Sequence, residues 1–147
     1  MLYSEKIKEA MLLSFYAHKG QVDRGGMPYF HHPLHLAEQM QTEDEVITAL
    51  LHDVVEDTYI TFEQLSSMGF SDTVIEALKL LTRTEDVKYM DYVKRIAGHP
   101  VAKNVKIADL KHNMDISRLP EEERDEMSSL QKRYRKALDY LESSTDD

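Results

Sequence analysis

The residues best equipped for chemistry lie in the stretch Ala49-Leu-Leu-His52-Asp53-Val-Val-Glu56-Asp57. Wound as an α-helix with His52 at the origin, it puts Glu56 at about 40°, Asp53 at about 100° and Asp57 at about 140°. Leu50, Leu51, Val54 and Val55 fall on the opposite side, so one wall is aliphatic and the other gathers an imidazole and three carboxylates. Like charges so placed repel by roughly 0.2–0.5 kcal/mol per exposed pair. A divalent cation relieves that repulsion, and imidazole nitrogen with carboxylate oxygen is a donor set such an ion accepts. Two readings fit the pattern: a metal or catalytic site, or an acidic face turned to solvent. The apolar mass of Val46, Ile47, Leu50, Leu51, Val54 and Val55 around the acids favours the first.

Two further stretches carry chemistry-bearing side chains. In Phe30-His31-His32-Pro33-Leu34-His35 three histidines fall within five positions, although a single such histidine is more often a surface or hydrogen-bonded one. In Val105-Lys106-Ile107-Ala108-Asp109-Leu110-Lys111-His112-Asn113-Met114, Asp109 and Asn113 are four residues apart and Lys106 lies three before Asp109. A carboxylate, an amide and an ammonium thus share one helix strip, which taken alone reads more readily as a solvated face than as a site. The loop Gln21–Tyr29 holds Gly25 and Gly26 with Arg24 at its centre. It lacks Gly-Lys-Ser/Thr and a preceding strand, so it is not a P-loop.

Helices must position these groups. Helical spacing runs over residues 3–19, with Ser4 as N-cap and Gly20 as stop. Pro33 suits a first helical turn, with His32 at or just before its start. Thr42 caps a central helix from Glu43 to Thr58. Thr61 and Gln64 form a capping-box pattern ahead of Gly69. Ser71 starts a helix through Thr82, residues 88–97 form another closed by Gly98, and Pro100 opens one through Met114. A last helix begins after Pro120, where Glu121, Glu122 and Glu123 favour its positive end. No segment sustains period-two alternation, so the expectation is an all-α single compact domain of about seven to eight helices over residues 1–142, with 143–147 frayed.

Composition sets the outer bounds. The chain has 147 residues, 31% charged and 41% hydrophobic, and no cysteine. Disulfides, thiolate metal sites and cysteine nucleophiles are therefore excluded. The net charge of −9 argues against a nucleic-acid or anionic-membrane partner, but a small anionic ligand remains compatible where a metal or local basic cluster receives it. No apolar run is long enough to span a bilayer and Glu5, Lys6, Lys8 and Glu9 interrupt any leader pattern, so a cytoplasmic location is expected.

Four pieces, taken in order, resemble the HD-domain phosphohydrolases, and more closely the hydrolase domain of the RelA/SpoT family with its small stand-alone relatives. They are Ala17-His18-Lys19-Gly20-Gln21; Arg24-x-Gly-x-Pro-Tyr-x-x-His32-Pro33-Leu34; Ala49-Leu-Leu-His52-Asp53-x-Val-Glu56-Asp57-Thr58; and Lys106-x-Ala-Asp109-x-x-His112-Asn113-Met114, spanning about two thirds of the chain. The resemblance implies removal of the 3′-diphosphate of (p)ppGpp and one divalent ion per chain, Mn²⁺, held by His32, His52, Asp53 and Asp109. It makes Glu56 and Asp57 the catalytic acid pair that orients and deprotonates water. It makes Arg24 the residue that packs on the purine, with Lys19, Lys106 and Asn113 as further substrate contacts. This chain departs from the family pattern at Met27, Gly25, His31 and Leu110-Lys111, positions that bear on substrate recognition rather than on the ligand set.

Two alternatives stand beside this reading. One is an HD phosphatase acting on another phosphorylated nucleotide, such as NADPH or a nucleoside phosphate. The other is a non-catalytic HD module that binds nucleotide. Retention of all four ligands and both acids favours an enzyme.

Overall fold

The computed structural model describes residues 1–125 and 128–144. Among them the chain forms nine α-helices and two short 3₁₀ turns, with no strand beyond an isolated bridge between Val22 and Pro28. The all-α expectation is borne out. No helix of the described residues is long and apolar enough to cross a membrane.

Local signals account for most of the helix ends. Helix α1 (Glu5–Ala17) starts where the Ser4 hydroxyl accepts from the Ile7 N–H, and the chain turns at Gly20, φ +87°. Helix α2 is His31–Glu38, so His32 lies within its first turn rather than before it. Helix α3 (Glu43–Leu51) carries a complete capping box: Thr42 Oγ1 accepts from Glu45 N at 3.2 Å and Glu45 Oε1 from Thr42 N at 3.1 Å. Then come α4 (Val54–Asp57), α5 (Phe62–Ser67, boxed by Thr61 and Gln64) and α6 (Asp72–Leu81, capped by Ser71). Helix α7 (Tyr89–Ala97) precedes α8 (Pro100–Asn113), whose proline occupies the first turn, where its missing N–H costs nothing.

Two expectations are corrected. The single helix from Glu43 to Thr58 is broken at Asp53, where φ −107° and ψ 1° leave the helical region, so α3 and α4 are separate elements. Pro120 does not open the last helix: Glu121–Glu123 form a 3₁₀ turn, and α9 runs Ser128–Ser143. Of the tail expected to fray, residues 145–147 lie outside the described residues. Ser143 still belongs to α9, and the Ser144 carbonyl accepts from Lys103 Nζ at 2.7 Å.

Helix α3 is the hub. It packs against α1, α2, α6 and α8, and Val46, Ile47, Ala49, Leu50 and Leu51 are all buried. Each buried leucine contributes about 1.5–3 kcal/mol relative to exposure. Its buried Glu45 is satisfied by its own cap and by Asn104 Nδ2 of α8 at 2.6 Å. Anchoring α3 to α8 in this way brings His52, at the C-terminal end of α3, to 3.5 Å from Asp109 in the C-terminal half of α8, with α2 packed against both helices.

Candidate metal centre and active site

The break after α3 is what builds the site. On a continuous helix the side chains of His52 and Asp53 would diverge by about 100°. With Asp53 out of the helical region, its Oδ2 comes 2.9 Å from His52 Nε2. His52 Nδ1 donates to the Ala49 carbonyl at 2.7 Å, which leaves the lone pair on Nε2. That atom is buried and makes no well-directed hydrogen bond, although Asp53 Oδ2 at 2.9 Å and Asp109 Oδ1 at 3.5 Å both face it. A bare lone pair facing two carboxylate oxygens is repulsive unless positive charge sits among them. Burial would hold the imidazole neutral, yet the Asp53 and Asp109 carboxylates raise its pKa well above the ordinary value. A proton or a divalent ion answers the same demand.

Helices α2 and α8 complete the donor set. His32 Nε2 lies 2.8 Å from Asp109 Oδ1, and ligand atoms of His32, His52 and Asp109 all fall within 4.8 Å of one another. Burial works to raise the Asp109 carboxyl, but Lys106 at 2.9 Å and the two histidines hold it well below the usual range. Burial likewise opposes ionisation of Asp53, and the His52 imidazole outweighs it, bringing Asp53 to about 2. His32, His52 and Asp109 fit a divalent cation, two imidazoles and a carboxylate held ionised, while Asp53 touches this group through His52 but falls outside the three-residue cluster.

A second group, Asp53, Glu56 and Asp57, also lies within 4.8 Å, so Asp53 joins the donor set to the acid pair. Glu56 and Asp57 are exposed, and both carboxyls are raised above their ordinary values by partial burial and by the Asp53 charge. Gln21 Nε2 donates to the Asp57 carbonyl at 3.1 Å.

The four expected substrate contacts are placed unequally. Arg24 and Asn113 line a cleft of about 300 Å³ beside His32, together with Tyr29, Arg118 and Tyr134. Asn113 Nδ2 also donates to Asp109 Oδ1 at 3.1 Å. The Lys106 side chain is largely buried, 12% exposed, with its ammonium paired to Asp109 and set over the Tyr92 ring at 5.3 Å. Lys19 is exposed beyond α1 and does not line the cleft.

Sequence reasoning assigned no role to several residues that shape the site. The Tyr29 hydroxyl donates to Asp53 Oδ2, and its ring lies 4.9 Å from that of His18. Burial and Asp53 push the Tyr29 phenol up, so it stays protonated as a donor. Arg118 NH2 pairs with Asp23 Oδ2 at 2.9 Å and NH1 donates to the His112 carbonyl at 2.8 Å, which closes the loop Gln21–Tyr29 onto the 3₁₀ turn Ile116–Arg118. Gly25 permits this approach: a Cβ there would meet the Arg118 carbonyl oxygen at 2.4 Å. His112, pushed down to about 3 by burial and then by Arg118, packs between His32 and the exposed His31 and His35. Tyr29 and His112 stood inside the matching motifs, and the loss was of role, not of notice.

Comparison with known proteins gives the same outline. The HD domain family profile matches residues 10–114. The chain is 32% identical over 91 residues to the bifunctional (p)ppGpp synthase/hydrolase SpoT of Escherichia coli K12, a match covering 59% of this chain and 13% of that protein. It is 34% identical over 108 residues to the guanosine-3′,5′-bis(diphosphate) 3′-pyrophosphohydrolase MESH1 of Danio rerio, covering 65% of this chain and 59% of that one. The chain thus spans only part of the length of these curated relatives. In fold it matches the solved structure of a metazoan ortholog of SpoT described as hydrolyzing ppGpp, with TM-score 0.77 and 22% identity over 99% of this chain and 90% of that one.

Proposed function

For a chain that belongs to the HD domain family, we propose a metal-dependent nucleotide phosphohydrolase that releases pyrophosphate from the 3′ position of (p)ppGpp or a similar alarmone. The observation that carries this reading is the buried His52 Nε2, without a well-directed hydrogen bond and set at 2.9 and 3.5 Å against the Asp53 and Asp109 carboxylates, with the acid pair adjoining it. The activities named for the SpoT and MESH1 relatives support the choice of substrate.

His32, His52, Asp53 and Asp109 would hold the divalent ion, Mn²⁺ by family resemblance, and its contribution when bound is Lewis-acid polarisation of a phosphoryl oxygen. The chain's own groups do the rest. Lys106 and Asn113 keep Asp109 ionised and aimed, and Tyr29 does the same for Asp53. Glu56 and Asp57 orient a water and take its proton as its oxygen bonds to the phosphorus nearest the ribose. The bond from that phosphorus to the 3′ oxygen breaks, the acid pair returns the proton to the departing 3′ oxygen, and the products are pyrophosphate and a 3′ hydroxyl. The upward shift of both carboxyls suits this work, since a base accepts a proton best when its pKa lies near the working pH. Arg24 receives the base at the mouth of the cleft, a role suited to a planar guanidinium.

The test is incubation of Mn²⁺-loaded protein with ppGpp, pppGpp, NADPH and mononucleotides, identifying the group released. Pyrophosphate from ppGpp or pppGpp is expected. Orthophosphate from NADPH or a mononucleotide would move the assignment to the sister phosphatase. Binding without turnover would make the chain a nucleotide-binding module.

A further inference from the structure

We propose that His112 is a positioning residue for the metal centre: its Nδ1 receives the proton on His32 Nδ1 and so holds His32 in the tautomer whose Nε2 is free to ligate. The proposal rests on the divalent-ion reading of the site.

His32 and His112 come from α2 and α8, separated by 80 positions in the chain, and their Nδ1 atoms stand 2.6 Å apart. The ring planes are 7° from parallel and the centroids 4.9 Å apart, which with the nitrogens at 2.6 Å sets the rings edge to edge in nearly one plane, the geometry of an in-plane N–H···N bond. Two lone pairs at that distance repel and two protons collide, so one proton lies between the nitrogens. If His112 supplied it, His32 would carry its own proton on Nε2, where it could only donate to Asp109 Oδ1 at 2.8 Å. If His32 supplies it, Nε2 becomes a lone pair beside that same carboxylate oxygen, the arrangement a cation joins. His52 has the corresponding clamp, its Nδ1 held by the Ala49 carbonyl. Both ligand histidines are therefore fixed through Nδ1, one by backbone and one by a second imidazole.

The surroundings keep His112 in place for this task. It is 6% exposed, and its carbonyl is held by Arg118. The His35 and His31 rings flank it at 4.3 and 5.7 Å between centroids.

The experiment measures Mn²⁺ affinity of the full chain by titration calorimetry for wild type, His112→Phe, His112→Asn and His52→Ala. Removing the partner that orients a ligand histidine typically weakens metal binding about 10–100-fold. His112→Phe, which keeps a ring but no acceptor, should show that loss. His112→Asn, whose amide oxygen can take the place of Nδ1, should return to within a few-fold of wild type, a rescue that a merely space-filling role does not produce. Nitrogen NMR on wild type loaded with diamagnetic Zn²⁺ should find the His32 proton on Nδ1. Wild-type affinity in His112→Phe, or a His32 proton absent from Nδ1, overturns the proposal. Should His112→Phe fail to fold, the Asn variant and the NMR decide. A wild-type chain without Mn²⁺ affinity, or His52→Ala with undiminished affinity, would instead overturn the metal reading beneath it.

Discussion

Replacing Glu56 by Gln or Asp57 by Asn should move activity and stability in opposite directions. Carboxylate oxygens of Asp53, Glu56 and Asp57 lie within 4.8 Å of one another. At that separation two unit charges repel by about 0.9 kcal/mol even in an aqueous dielectric. Neutralising one acid cancels two such pairs, each discounted because Glu56 and Asp57 are exposed. The net gain is about 1 kcal/mol, or about 2–4 °C in Tm for a domain near this size. Measured in chelator, the variants should melt higher by that amount. The sign with pH follows from the raised carboxyls. The folded state holds these protons more tightly than the unfolded chain, whose ordinary values are 4.5 for Glu56 and 3.8 for Asp57. Ionisation therefore costs stability as pH rises through those values, in full above the raised folded ones. The gap in Tm opens across that interval and closes below it. Turnover should fall about 10²–10⁴-fold, the usual worth of general acid–base catalysis. Pyrophosphate release against substrate concentration, with bound Mn²⁺ counted in parallel, reads the outcome. Wild-type turnover in both variants refutes the reasoning, and loss of metal from either reassigns that carboxylate as a ligand.

Chelation should lower the wild-type Tm, since a hundredfold excess of ion over Kd contributes about 2.7 kcal/mol, and His52→Ala should abolish the response. Asp109→Ala should also lose stability in chelator, by about 3–5 kcal/mol in denaturant melts, because it strands the largely buried Lys106 ammonium. Gly25→Ala should raise KM and cost about 1–3 kcal/mol, as its Cβ forces the loop off the Arg118 carbonyl. Arg24→Ala should raise KM for every active nucleotide, and unchanged kinetics would refute its place in receiving the base.

The elements were legible because their determinants are local. Ser4, Thr42, Thr61 and Ser71 each cap the helix that their sequence context announces, through bonds spanning three residues. The candidate ligands were legible by resemblance: four motifs in family order imply His32, His52, Asp53 and Asp109 without coordinates, whereas helical spacing by itself pointed only to the His52–Asp57 stretch. Tertiary structure decided how they meet. The break at Asp53 has no glycine or proline to announce it, and it turns a neighbour that a continuous helix would point away into a partner at 2.9 Å. Lys106 reads from its spacing as one end of a surface strip, yet packing of α7 against α8 largely buries it between Tyr92 and Asp109. The contact of His32 with His112 joins residues 80 positions apart, and that of Tyr29 with Asp53 joins residues 24 apart. Periodicity reports which face of a helix is buried, not which helix will lie against it. That choice is made by the packing of the whole core, and here the docking of α2, α3 and α8 turned a set of motifs into one charged, buried centre.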